Sequence, residues 1–328
     1  MAKAKAKAKG ENSVRAKAVF ARILAALIAA AAGGALWAGR HYGLFSELVP
    51  DQPSVPEGFI DENATHAFVE FIDVGQGDAA LIGSEGHYML IDTGSPDDTD
   101  KLIRTLMDEG VTGLDYLVLS HPHADHIGEA ADIISRFDIG CVISPEVPAG
   151  LLPDTYSYDR FIETANRLGT DLRTAKDERF ALGDTCTFET FVPKGNYDDL
   201  NDHSVFLRFT HGENTFLFTG DSEQPEEEEM VSRVADLSAD VLKAGHHGGR
   251  DSCSLALLAA VRPGHIVISC GKNNDRGHPN RDTLRRIEQF TQDIRITAND
   301  GNIRFESDGC RMKITTENDK KEVKEEYR

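Results

Sequence analysis

Between residues 66 and 315, short apolar runs alternate with polar, glycine-bearing stretches, and the spacing within each run predicts its element. Ala67–Asp73, Asp78–Ile82 and Tyr88–Ile91 read as strands set apart by Gly-rich turns. Asp98–Glu109 has helical spacing. Leu114–Leu119 is an apolar run of strand length, after which Ile127, Ala130, Ile133, Ile134 and Phe137 share one helical face. Val142–Ser144 predicts a further strand and Tyr158–Leu168 a helix. The second half repeats the theme. Thr187–Phe191, Val205–Thr210 and Thr215–Thr219 are strand-like, the last two joined by a Gly-Glu-Asn turn. Helices at Glu226–Val234, Ser254–Ala260 and Arg281–Phe290 alternate with strands at Asp240–Lys243 and Ile266–Ser269. A closing hairpin is expected over Ile294–Ile296, Ile303–Phe305 and Met312–Thr315. Strand runs followed by strand–helix alternation, twice, predict an α/β fold of two facing sheets with helices outside.

One apolar run breaks this pattern. Residues 23–39 carry no charge, follow a basic segment at 1–22, and end near Trp37 and Tyr42. A basic flank, a stretch close to the ~20 residues that span a bilayer, and an interfacial aromatic describe a signal anchor. A cleaved signal peptide is the rival reading, because the segment is rich in small residues. Either way the N-terminus is expected in the cytoplasm and the rest outside, as a single-pass membrane protein or a secreted one. Residues 40–65, with Pro50, Pro53 and Pro56, read as a linker, 66–315 as the folded domain, and 316–328 as a charged tail.

Charge sharpens the division. Residues 1–40 hold eight of the 35 Lys and Arg but one of the 55 Asp and Glu, so the remainder is at −27. Such a body repels polyanions except where metals or a local basic patch compensate. It therefore lacks, on average, the basic groove that long polymers need. The five cysteines (Cys141, Cys186, Cys253, Cys270, Cys310) are scattered and odd in number, which argues against a disulfide framework.

The candidate chemistry centres on Ser120–Gly128, Ser-His-Pro-His-Ala-Asp-His-Ile-Gly, at a strand-to-helix corner. Strand periodicity puts His121 and His123 on one side, where they can share an ion, and Pro122 favours the extended backbone this needs. Asp125 and His126 lie in the turn and aim differently, suited to a second ion. Three imidazoles and a carboxylate within six residues suit zinc or a similar divalent metal. Three later or earlier strand ends carry further polar clusters. Asp92 closes Tyr88–Gly94 and is placed to orient a ligand. Asp221 closes Phe216–Asp221, where an Asp can offer two oxygens to two cations. Val241–Gly248 supplies His246 and His247, of which one is expected to bind metal and the other to face substrate.

Asp73–Ala79 (Asp-Val-Gly-Gln-Gly-Asp-Ala), Ile91–Gly94, His121–His126, Thr219–Asp221, Lys243–Gly248 and Gly277–Pro279 stand in an order that resembles the metallo-β-lactamase superfamily. More narrowly they resemble the hydrolase domain of the ComEC/Rec2 competence family and its free-standing relatives. The resemblance covers about residues 66–315 and implies an αββα sandwich with a dinuclear site at one sheet edge. It implies His121, His123 and Asp221 on one ion and Asp125, His126, His247 and Asp221 on the other, the ions being Zn or Mn. Likeness to the choline-phosphate esterases assigns His247 to metal and His246 to substrate. Asp125, His246 and His278 are then the catalytic candidates, with His246 or His278 as general acid. Asp73, Asp78, Asp92, Asn201, His203, Ser204 and Lys243 are supporting or substrate-side candidates. Most superfamily members supply another His ligand before the bridging Asp; Asn201-Asp202-His203-Ser204 stands there, and the narrower group's Asn-x-x-Ser pattern puts His203 on the substrate side. Gly249 replaces the Ser expected after His-His-Gly. Lys243 and Arg250 are placed to neutralise a phosphate.

The implied function is an exported phosphodiesterase acting on nucleic acid or an envelope phosphodiester, with a metal-bridging hydroxide as nucleophile. The alternatives are a small-molecule hydrolase of the lactonase or β-lactamase type, or a non-catalytic module of a DNA-uptake complex.

Overall fold

The computed structural model describes residues 65–96 and 99–319. The basic N-terminus, the expected anchor at 23–39, residues 40–64 of the linker and residues 320–328 of the tail lie outside the described residues. Among the described residues no helix is long and apolar enough to cross a membrane.

The chain opens with an antiparallel meander, β1 (Ala67–Phe71), β2 (Ala80–Ser84) and β3 (His87–Ile91). Alternation in β1 decides its two neighbours. Val69 and Phe71 enter the layer between the sheets, whereas Phe68 and Ile72 face the outer helices. Helix α1 (Thr99–Asp108) leads to β4 (Gly113–Val118), parallel to β3. The helix expected from Ile127 starts earlier and is broken, as α2 (Ala124–Ile127) and α3 (Ala130–Arg136). Gly128 sits at the break, where a Cβ would come within 2.4 Å of Pro96 N and 2.5 Å of Gly94 O. The close approach lets the Gly128 N–H donate to Gly94 O at 2.8 Å and ties the corner to the end of β3. Strand β5 (Asp138–Ser144), helix α4 (Tyr156–Leu168) and a short edge strand β6 (Leu172–Thr174) complete the first half.

The second half runs β7 (Glu178–Leu182), β8 (Cys186–Phe191), β9 (Phe206–His211), β10 (Asn214–Phe218), α5 (Gln224–Arg233), β11 (Val241–Lys243), α6 (Leu255–Val261), β12 (His265–Ile268), α7 (Arg281–Ile287) and β13 (Asp293–Ile296). A short helix, α8 (Thr297–Asp300), precedes the hairpin β14 (Ile303–Ser307) and β15 (Met312–Thr316). One sheet has the order β15-β14-β1-β2-β3-β4-β5-β6 and the other β13-β12-β11-β10-β9-β8-β7. The expected three-part closing hairpin is therefore split: β13 pairs in parallel with β12, while β14 crosses to β1. Strands β6 and β7 do not stand out in the sequence because they are short or edge strands with charged, exposed faces.

Both sheets are mixed, and apolar layers on either side of each make the expected α/β sandwich. Phe71, Phe218 and Phe305 meet between the sheets, with ring centroids 5.6 and 5.9 Å apart around Phe71. Leu102, Leu106, Ile133 and Phe161 cover the outside of the first sheet; Met230, Leu257, Leu258 and Ile287 cover the second. Four of the cysteines are buried with unpaired thiols, and Cys310 is exposed. Asp92, Ser120, Asp221, His247 and Ser269 all follow the C-terminal ends of parallel-paired strands, the edge where α/β sheets present their ligand sites.

Candidate metal centre

The corner after β4 is assembled around Asp92. Its carboxylate accepts from the Ser120 N–H and hydroxyl at 2.7 Å each and from His126 Nδ1 at 2.8 Å. Asp92 is buried and has a left-handed φ of 57°, so its placement is enforced by these partners. With the His126 Nδ1–H given to Asp92, the Nε2 lone pair faces outward from the corner. His121 Nε2 and His123 Nδ1 converge at 2.9 Å, as strand spacing requires.

Asp221 arrives from the other sheet. Gly220 has a φ of 53°, and a Cβ there would lie 2.7 Å from Ser204 Oγ. The Asp221 N–H donates to that same hydroxyl at 3.0 Å. Its Oδ1 lies 3.2 Å from His126 Nε2, and its Oδ2 lies 3.4 Å from His247 Nε2 and 4.0 Å from His121 Nε2. Asp125 Oδ2 is 3.4 Å from His247 Nε2. His246 and His247 both adopt left-handed backbone, with φ 47° and 53°, which turns the two rings to different sides. His247 Nδ1 donates to Ser269 O at 3.0 Å, leaving Nε2 with its lone pair toward Asp221.

These donors fit a metal. Ligands held tetrahedrally at ~2.0–2.1 Å lie about 3.4 Å from one another, and the spacings around Asp221, His126, His247 and Asp125 are of that size. His126 Nε2, His247 Nε2 and Asp221 Oδ1 are buried without a hydrogen-bond partner. Orphaned buried donors of that kind are costly unless an ion satisfies them. Asp78 also lies within this cluster: Asp78, His126, Asp221 and His247 offer atoms all within 4.8 Å of one another. Asp78 is nonetheless engaged elsewhere. Its Oδ2 pairs with the buried Lys243 ammonium, and its Oδ1 lies 3.2 Å from His247 Nδ1, the side turned away from Asp221. Asp78 Oδ1 is itself buried without a hydrogen-bond partner, while Asp125 Oδ2 faces His247 Nε2, the nitrogen turned toward Asp221.

Charge at the centre follows from this crowding. Burial opposes charging His126 and His247, but the Asp221 carboxylate overrides it. With Asp92 it carries His126 well above the ordinary imidazole range, and with Asp78 it lifts His247 to about 9. Burial together with the His126 charge pushes His121 well down. Against burial, the neighbouring imidazoles hold Asp125 and Asp221 below the carboxylate range. Raised histidine pKa values stabilise the metal-free fold fully below ~6.5, and that contribution is lost as pH rises through about 9. Metal must displace these protons. Calorimetric titration with Zn near pH 7.5, in buffers of different ionisation enthalpy, is expected to show roughly two protons released per loaded centre. Release of none would mean that the histidines are not the ligands.

Several sequence candidates lie differently from expectation. Asp73 is outside the centre, paired with Lys101 at 3.0 Å and accepting from Gly75 N. Lys243 is 3% exposed and committed to Asp78, so it is not a phosphate contact at the rim. Arg250 is exposed and lies 3.6 Å from Asp282. His203 Nε2 is 3.3 Å from Tyr197 O, and its ring faces Tyr197. Its donors are not among the grouped ligand atoms. His203→Ala is expected to retain both ions by elemental analysis, and loss of one per chain would make it a ligand. Asn201 Nδ2 donates to Glu223 Oε1 at 3.3 Å, and Ser204 bears on Asp221. His278 stacks beside the centre, 5.3 Å from His246 and 6.0 Å from His247 between ring centroids. Burial and those two imidazoles lower it to about 4. Glu223, 3.1 Å from His246 Nδ1, was not legible as a site residue because nothing local distinguishes it from the run of glutamates after it.

Comparison with known proteins agrees with this geometry. The family model for the metallo-beta-lactamase superfamily matches residues 72–272. ComE operon protein 3 of Bacillus subtilis is 27% identical over 256 residues, 72% of this chain and 32% of that protein. Recombination protein 2 of Haemophilus influenzae is 30% identical over 251 residues, 75% of this chain and 29% of that protein. The chain thus spans about a third of the length of these relatives. Among solved structures, the metallo-beta-lactamase fold protein YhfI from Bacillus subtilis is 15% identical, with 74% of this chain and 100% of that one covered and a TM-score of 0.49. The ligand-bearing strand ends, the family model over most of the sandwich and the competence relatives agree: the chain belongs to the metallo-β-lactamase superfamily, as a domain homologous to the ComEC/Rec2 competence proteins.

Proposed function

We propose that the domain is a dinuclear metal-dependent phosphodiesterase whose substrate is nucleic acid. The observation that carries the metal chemistry is the meeting of buried His126 Nε2 and His247 Nε2, neither with a hydrogen-bond partner, at ligand spacing from the two oxygens of Asp221. His121, His123 and Asp221 hold one divalent ion; Asp125, His126, His247 and Asp221 hold the other, with Zn and Mn both suited to the donor set. Two such cations supply a water of lowered pKa and neutralise charge on the phosphoryl oxygens. Asp92 and the Ser269 carbonyl keep the His126 and His247 lone pairs aimed. His246, at the rim, is the group placed to give the departing alkoxide its proton, whereas His278, lowered to about 4, is neutral near pH 7 and does not carry that proton. The names of the relatives, a recombination protein and a competence protein, support nucleic acid over an envelope phosphodiester.

A second reading has one observation in its favour. A cavity of about 260 Å³ lies beside His121 and Pro122, lined largely by apolar groups including Leu152, Tyr158 and Phe161. It suits the apolar group of a small ester or lactam. A screen of the Zn- and Mn-loaded domain against bis-p-nitrophenyl phosphate, oligonucleotides, choline-phosphate esters, a lactone and a β-lactam separates the two. Turnover of the lactone or lactam alone would overturn the phosphodiester reading. We also propose export, with residues 23–39 as the anchor. Protease added outside cells with an accessible surface is expected to digest the domain, and protection would count against export.

A further inference from the structure

We infer that the rim of the metal centre formed by Arg250 and residues 272–285 is a cationic platform for the phosphates flanking the cleaved bond of a nucleic acid strand. The inference rests on the phosphodiester reading above. The average charge conceals this rim. The body after residue 40 is at −27, yet residues 243–286 hold eight Lys and Arg against three Asp, a local charge of +5. Three of the eight do not serve the rim. Lys243 pairs with buried Asp78, and Arg286 donates to the carbonyls of Arg250 and Ser252 at 2.7 Å each. Arg262 follows α6 and precedes β12, at the sheet end opposite the metal centre. Arg250, Lys272, Arg276, Arg281 and Arg285 are exposed.

Each of these five is tied to the centre through the backbone that bears it. Arg250 is three residues past His247. Lys272 and Arg276 flank Asn274 on the loop that carries His278. That loop is clamped: Asn274 Nδ2 donates to Gly271 O at 2.8 Å and to His278 O at 2.6 Å, and Gly271 N–H donates to Gln76 Oε1 at 3.1 Å. Arg281 and Arg285 stand on α7, which docks on the His-His-Gly-Gly segment. There the Asn280 N–H donates to Gly248 O at 2.9 Å, and the Thr283 hydroxyl donates to Gly249 O at 2.6 Å. A single carboxylate, Asp282, serves both Arg250 and Arg285, at 3.6 and 3.2 Å. With Asp251 and Asp275 also exposed in this segment, the five cations face three carboxylates, and the rim keeps an excess of positive charge.

Acidic groups also stand near the centre. Asp198 and Asp199 are exposed, Asp199 acts on His123, and Glu223 pairs with His246. A polyanion bound at the centre is repelled by these acids and drawn along the cationic rim. Arg guanidinium forks suit phosphate oxygens, and phosphate neutralisation makes binding salt-dependent. The averaged −27 conceals this local exception, which the fold concentrates beside the metal centre.

The test compares metal-loaded wild type with Lys272→Ala/Arg276→Ala and Arg281→Ala/Arg285→Ala. The readout is the ratio of kcat/KM on an oligothymidylate of ~12 nucleotides to that on bis-p-nitrophenyl phosphate. Each double variant is expected to lower this ratio about tenfold. At ~0.7 per phosphate on single strands, each should also flatten the log–log salt dependence by about 1.4. Fluorescence anisotropy of the labelled oligomer reads the platform without turnover and should show the same loss. An unchanged ratio and unchanged anisotropy in both variants would overturn the platform. Preferential cleavage of poly(glycerol phosphate) would overturn its assignment to nucleic acid. Salt-sensitive oligomer binding that depends on these residues, with no hydrolysis of any diester, would keep the platform and remove the phosphodiesterase reading.

Discussion

Asp221→Ala is expected to take the metal content from two ions per chain to one or none and to abolish hydrolysis. Among the described residues, Asp221 is the carboxylate that lies against the imidazoles of both proposed ion sites, with His126 Nε2 at 3.2 Å, His247 Nε2 at 3.4 Å and His121 Nε2 at 4.0 Å. It is 2% exposed, and Ser204 and Gly220 hold its backbone in place, so water and mobile side chains cannot substitute for it. Bound cations are worth several kcal/mol of transition-state stabilisation, so the loss should be at least ~10³-fold at about 1.4 kcal/mol per decade. The same change removes the anion that keeps His126 and His247 protonated in the metal-free state, so proton release on loading should shrink with it. Two ions per chain by elemental analysis, with activity within tenfold of wild type, would show that Asp221 does not bridge.

Lys243→Met is expected to cost about 3–5 kcal/mol in the chelated protein, the penalty for leaving one charge of a buried pair unmatched. Lys243 lies in β11, between β10 and β12, with Nζ on the Asp78 carboxylate. Burial opposes charging each partner, and each holds the other ionised. Asp78→Asn combined with Lys243→Met removes both charges and should recover most of the loss, because only the lone buried ion is expensive. Urea unfolding of the two single variants, the double variant and wild type measures the coupling. A Lys243→Met cost below about 1 kcal/mol, or a double variant as weak as the single one, would show that the pair is not what holds the floor of the site.

What the sequence determined is what short-range chemistry determines. Period-two spacing is enough to set His121 and His123 side by side, and the strand ends at Asp92 and Asp221 carry polar residues that an apolar run cannot otherwise explain. The sandwich, the ligand-bearing corners and the family likeness were readable for that reason. Sheet membership was not. Periodicity reports which face of a strand is buried but not which strand lies beside it, so β13 was grouped with the hairpin that in fact joins the other sheet. Charge partners were equally hidden. Asp73 reads like a site carboxylate from its motif yet pairs with Lys101, while Lys243 reads like a rim cation yet is buried on Asp78. Glu223 meets His246, and Arg250 and Arg285 share Asp282, only because loops after different strands arrive at one edge. Coulomb interactions depend on distance in space and on burial, and neither is encoded by position along a chain. The tertiary structure therefore decided which acids and bases hold the metal centre together and which stand ready for a ligand.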